Sequence, residues 1–139
     1  MTENIVVNNA EEIPFSSILA SLLQENLEAK PHKKKVFNNL FGVVAIEITD
    51  LEQTLYLNFS GGQLVLEKSI EKKPHITVKA ESEKIMGLNF ISIKFGLPYY
   101  FDEAGRTVIK QLLSGEIKIQ GMLLHLNMLT KLTKVLSIM

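Results

Sequence analysis

From Pro14 onward, apolar residues fall at Phe15, Ile18, Leu19, Leu22, Leu23 and Leu27, three or four positions apart, with Gln24, Glu25 and Glu28 on the other side. This spacing predicts an amphipathic helix that stops before Pro31. Val36, Phe37, Leu40 and Phe41 repeat the helical period up to Gly42, which predicts a second helix ending there. The period then changes to two. Val44, Ile46 and Ile48 alternate with Ala45, Glu47 and Thr49, and Leu55, Leu57 and Phe59 alternate with Thr54, Tyr56 and Asn58. Ser60-Gly61-Gly62 turns the chain into Leu64 and Leu66, so three strands form an antiparallel meander.

Beyond the charged stretch that ends at Pro74, Ile76, Val78 and Ala80 give a fourth strand, and Ser82 is placed to cap a short helix. Residues 89–101 break the pattern: they hold Phe90, Phe95, Tyr99, Tyr100 and Phe101 around Gly96 and Pro98, half of the chain's aromatic residues. An irregular segment this apolar needs cover. Val108, Ile109, Leu112 and Leu113 predict a helix from near Asp102 to Gly115, Ile117 and Ile119 a fifth strand, and the stretch from Met122 a long amphipathic helix. Residues 1–12 are polar and aperiodic, which predicts a flexible N-terminal tail before one domain over residues 13–139. Helices grouped against one sheet make an α+β fold with a five-stranded, mostly antiparallel sheet.

Composition narrows the function classes. Fifteen basic residues balance fifteen acidic ones, so nothing favours nucleic acid as a partner. With no cysteine, a disulfide framework, a thiolate zinc site and a cysteine nucleophile are all excluded. No signal peptide opens the sequence, which gives a cytoplasmic location as the expectation. His32, His75 and His125 lie more than 40 residues apart and predict no metal site. The pairs Glu11-Glu12 and Asp102-Glu103 precede helices, where carboxylates meet the positive end of the helix dipole. Gly115 and Gly121 do not frame a phosphate loop, because Met122 stands where Lys is needed, and no Gly-x-Ser-x-Gly elbow occurs. The chain therefore reads as a non-enzyme that needs no cofactor. The basic run from Lys30 to Lys35 reads as a solvated loop, with attraction to lipid headgroups and a transient membrane-surface contact as the functional alternative.

The stretch Gln111-Leu-Leu-Ser-Gly-Glu-Ile-Lys-Ile-Gln-Gly121, followed by an apolar helix, resembles the helix, Ser-Gly, short strand, Gly, helix signature of the sterol carrier protein type two family. Residues 42–50, 55–67 and 76–88 follow in that family's order of strand, hairpin and strand-helix unit. The chain departs from the pattern at Met122, after the second glycine, and over residues 89–103, which are longer and more aromatic. The resemblance implies a sheet layered with helices around an apolar tunnel for a sterol, fatty acid, acyl-CoA or prenyl lipid, and no catalytic residue. Phe90, Ile93, Phe95, Leu97 and Tyr99 are then candidates for a lid or mouth, and Leu112, Met122, Leu126 and Leu129 for the wall. Burying a sixteen-carbon chain contributes up to about 13 kcal/mol at roughly 0.8 kcal/mol per methylene, which exceeds the cost of association without any charge pair. A different reading is an accessory module of a lipid-pathway complex with a filled core, pairing with itself or a partner protein through the C-terminal helix.

Overall fold

The computed structural model describes residues 5–87, 92–94, 97–99, 101–121 and 124–136, with backbone alone for 92–94 and 97–99. Chain order is β1 (Val6–Asn8), α1 (Pro14–Ala29), α2 (Pro31–Asn38), β2 (Phe41–Ile48), β3 (Gln53–Ser60), β4 (Leu64–Glu67), β5 (Ile76–Ala80), α3 (Ser82–Gly87), β6 (Ser92–Lys94), β7 (Leu97–Tyr99), α4 (Glu103–Ser114), β8 (Lys118–Gln120) and α5 (Leu126–Leu136). The main sheet runs β1-β4-β3-β2-β5-β8, and β6 with β7 forms a separate two-stranded ribbon. The fold is α+β, and its main sheet has six strands rather than five.

The meander forms as the alternation predicts. Val44 lies opposite Leu57, and Leu57 opposite Leu66, so apolar side chains line up in rows on one face. Gly61 and Gly62 both have positive φ, at 70° and 100°, which suits the tight turn between β3 and β4. β5 joins β2 in parallel, with Val44 opposite Ile76 and Ile46 opposite Val78, because residues 68–75 carry the chain from β4 across to the far side of β2. β8 closes that edge antiparallel to β5. Over this face Leu19, Leu23, Leu27, Phe37, Leu132 and Val135 complete one contiguous core with Leu55, Leu57, Leu64 and Ile76. Phe37 and Phe59 meet edge to face at 6.2 Å and tie α2 to the sheet.

Four local expectations change. The polar start is not wholly a free tail: Val6–Asn8 pairs in parallel with β4, and Ala10 is buried. Three residues are too few to show a period, and the strand is held by its register, Val6 opposite Leu64, rather than by its own pattern. Gly42 does not end a helix. α2 stops at Asn38, and Gly42 sits in β2 at φ 133°, where a Cβ would lie 2.8 Å from Met128 Cε and 3.2 Å from His75 Nδ1. Ser82 is not the cap of α3 but is itself held, since Asp50 Oδ1 accepts from Ser82 N–H at 2.8 Å and Asp50 Oδ2 from its hydroxyl at 2.6 Å. These bonds hold the Asp50 carboxyl below its ordinary pKa.

The fourth change concerns the basic run. Residues 31–38 are helical, and Lys33 is 2% exposed. Its Nζ donates to the Lys134 carbonyl at 2.9 Å, while Asn26 Nδ2 donates to the Val135 and Leu136 carbonyls at 3.3 Å each. Side chains of α1 and α2 thus satisfy three of the last four carbonyls of α5, groups that no helix can satisfy internally. The stem of Lys33 replaces an apolar side chain in packing, and desolvation lowers its pKa from 10.5 to about 8, with Lys30 adding repulsion.

Candidate functional site

α4 is delimited as its sequence dictates. Asp102 accepts from Gly105 N–H at 2.8 Å as the N-cap, and Gly115 closes the other end in the left-handed conformation at φ 82°. α3 is held at its start by Asp50, across the turn between β2 and β3. Between these two helices lies an open groove of about 550 Å³, lined by Glu83, Lys84, Gly87, Glu103, Ala104, Thr107, Val108 and Gln111. Residues 88–102 join its two walls in sequence, so the aromatic segment starts on one wall and ends on the other.

Both helix ends and floor suit an apolar occupant. A Cβ built on Gly87 meets nothing within 4 Å, so the backbone of α3 borders empty space there. Val108 is buried, and Ala104 half-buried, on the α4 side. Two of the polar side chains are engaged, and the first is the Thr107 hydroxyl, which donates to the Glu103 carbonyl at 2.9 Å. Lys84 Nζ stands 3.2 Å from Glu81 and 3.7 Å from Glu116. The Glu81 hydrogen bond holds the Lys84 ammonium above its ordinary pKa, against a smaller opposing desolvation. Among the described residues no cluster of three or more His, Asp or Glu is disposed to hold a metal ion. Ala104 and Val108 among polar neighbours make a mixed lining, and the volume lies within the roughly 300–1,000 Å³ of ligand sites.

The sequence-derived candidates fall in several places. Phe90, Phe95 and Met122 lie outside the described residues. Ile93 is on β6 opposite Pro98, and Leu97 and Tyr99 are on β7, so part of the segment expected to be irregular is a ribbon. β7 packs against α5, which brings the strand carrying Leu97 and Tyr99 beside the helix carrying Leu126 and Leu129. Leu112 and Leu129 are half-buried and pack on the main core. Leu126 is 55% exposed. It precedes Leu132 by six residues, about 120° around the helix from the buried face, and so does not line an interior wall. The groove between α3 and α4 is open, and its lining was not singled out by the apolar pattern. The signal was Ala104 and Val108, four apart and beside the polar Thr107 and Gln111.

A second feature was invisible in the sequence. His75 and His125 stand edge to face with ring centroids 5.3 Å apart, although 50 residues separate them. His75 Nδ1 accepts from Val43 N–H at 3.1 Å, and the His75 N–H donates to the Val43 carbonyl at 2.9 Å.

A family model described as the SCP-2 sterol transfer family matches residues 20–90, half of the chain. The chain belongs to this SCP-2 family. The matched stretch runs from α1 to just beyond α3 and so contains the meander and the α3 wall of the groove. Among solved structures the chain is similar to one described as "UbiJ-SCP2 Ubiquinone synthesis protein", at 20% identity and a TM-score of 0.66. That likeness covers 91% of this chain and 95% of the other, and it establishes a shared fold. No curated protein matches the chain. SCP-2 domains are, as a family, modules that bind apolar lipids. No helix among the described residues is long and apolar enough to cross a membrane.

Proposed function

We propose that this SCP-2 domain binds and carries an apolar lipid without catalysing a reaction, holding the acyl or prenyl chain in the groove between α3 and α4. The observation that supports this most is the groove itself, with Gly87 facing open space and Val108 buried on its α4 wall. Glu83 and Glu103 are exposed at the rim and stay hydrated when a chain fills the groove, so desolvation offsets the methylene burial only in part. The protein works in the cytoplasm, loading and releasing its lipid there.

Native mass spectrometry of protein purified from cells tests this directly, with Gly87→Phe as the comparison. The new ring enters space that is empty in the wild type, so the variant folds but fills the groove. Bound lipid on the wild type and its loss from the variant is the expected result. Equal lipid on both proteins, or none on either together with no binding of a fluorescent fatty acid, overturns the proposal.

A second reading draws on the likeness to the ubiquinone synthesis protein: an accessory module that presents a prenylated intermediate to partner proteins. Leu124 and Leu126, both exposed at the start of α5, are the side chains on which a partner or a second copy would pack. Capture of a defined partner by the wild type and not by Leu124→Ser favours this role, whereas lipid bound by a chain that captures none favours carriage alone.

A further inference from the structure

α4 carries its chemistry on two different flanks. At about 100° per residue, Glu103, Thr107, Gln111, Ala104 and Val108 share one flank, the one that lines the groove. Arg106, Ile109, Lys110 and Leu113 fall on the other. All four of these are exposed, with Leu113 at 84%, and Phe101 just before the helix is exposed too. The only carboxylate of α4, Glu103, lines the groove edge about 20° around the helix from Lys110. Among the described residues neither Arg106 nor Lys110 is ion-paired. In a chain whose formal charge is zero, this flank is a local cationic strip interleaved with apolar side chains.

From this juxtaposition we infer that the outer flank of α4 docks on an anionic bilayer surface, Leu113 and Ile109 entering the headgroup layer while Arg106 and Lys110 contact lipid phosphates. The inference rests on the carriage reading and names the surface from which the groove is loaded. Cations flanking exposed Leu and Ile on one helix face are what an interfacial helix needs: the alkyl parts insert and the long basic side chains reach back to the phosphates. An apolar protein partner would not require two uncompensated cations. Docking through α4 also brings the Glu103 edge of the groove, which adjoins Lys110 on the helix surface, towards the membrane. The basic run of α2 is less suited to this task, because its central Lys33 is buried against α5.

Flotation with vesicles tests the inference, using phosphatidylcholine alone and phosphatidylcholine mixed with phosphatidylglycerol. The full chain should float with the mixed vesicles, and less with phosphatidylcholine alone. Arg106→Gln combined with Lys110→Gln should weaken partitioning about 30-fold, the equivalent of roughly 1 kcal/mol for each cation near an anionic surface. Leu113→Ser should weaken it as well. Ile18→Ser, which alters an exposed apolar residue on α1, should not. Affinity for a fluorescent fatty acid in solution, measured on the same proteins, should be unchanged in all of them. Flotation that is unaffected by the α4 substitutions, or lost equally with Ile18→Ser, overturns the docking surface. A wild type that binds the fatty acid but ignores anionic vesicles also overturns it while leaving carriage standing; absence of both kinds of binding removes the carriage reading as well.

Discussion

Replacing Lys33 by Met isolates the energetics of a buried ammonium. The two side chains have similar length, and Met fills the space of the alkyl stem, so the substitution removes a charge and a donor and leaves little cavity. At neutral pH two effects oppose each other. The charged bond from Nζ to the Lys134 carbonyl, 2.9 Å long, is lost, at a cost of about 1.5–3 kcal/mol. The desolvation that depresses the pKa is relieved at the same time. Lys33→Met should therefore lie within about 1 kcal/mol of the wild type at pH 7. The distinguishing behaviour comes at higher pH. The native pKa is about 8 against 10.5 for the unfolded chain, so between these values the unfolded state holds a proton that the native state has released. Stability contributed by this site must then rise with pH, by no more than about 1.4 kcal/mol per pH unit for one proton. Partial access of solvent to the ammonium reduces the total gain to roughly 1–2 kcal/mol across the window. Urea unfolding followed by far-ultraviolet circular dichroism at several pH values, on wild type and variant, yields the difference free of all other titrating groups. The wild type should gain on the variant as pH rises from 8 towards 10.5. Parallel profiles would refute the reasoning, because they would mean that the ammonium is no more desolvated in the fold than in the open chain.

The remaining predictions concern turns, caps and space. Gly121 has φ 83°, and a Cβ there would overlap the His75 carbonyl of the neighbouring strand, so Gly121→Ala should destabilise by about 2–4 kcal/mol in thermal unfolding. Asp50→Ala removes both bonds to Ser82 and should speed hydrogen exchange at the amides of Lys84 and Ile85 while leaving the meander protected. Because the Asp50 pKa is lowered in the fold, this contribution is present above its unfolded value of 3.8 and fades as pH falls through the native one, so the exchange difference should vanish in acid. Asn26→Ala withdraws a donor from the Val135 and Leu136 carbonyls and should cost about 1–3 kcal/mol, with the last turn of α5 losing protection first.

Sequence reasoning succeeds here where a single local signal decides. The alternation from Val44 to Phe59 and the paired glycines at 61 and 62 specify the meander, because a shift of one residue would turn every apolar side chain to the other face. Asp102 and Gly115 mark α4 to the residue, since a side-chain acceptor and a left-handed glycine are what helix ends require. The features that escaped depend on partners distant in the chain. Val6–Asn8 is a strand because β4 offers it an edge, and nothing local distinguishes it from a polar tail. Lys33 looks like one more solvated charge until α5 brings the Lys134 carbonyl to it from 101 residues away. The groove is still less legible: it is a space between helices, and Gly87 contributes to it by having no side chain to fill it.

The measurement closest to the central claim is photo-crosslinking with a fatty acid that carries a diazirine near its methyl end, followed by peptide mapping. The account predicts labels on the facing walls of the groove, in peptides that contain Gly87, Ala104 and Val108. Labels scattered over the surface, or confined to the neighbourhood of His125 and Leu126, would contradict it.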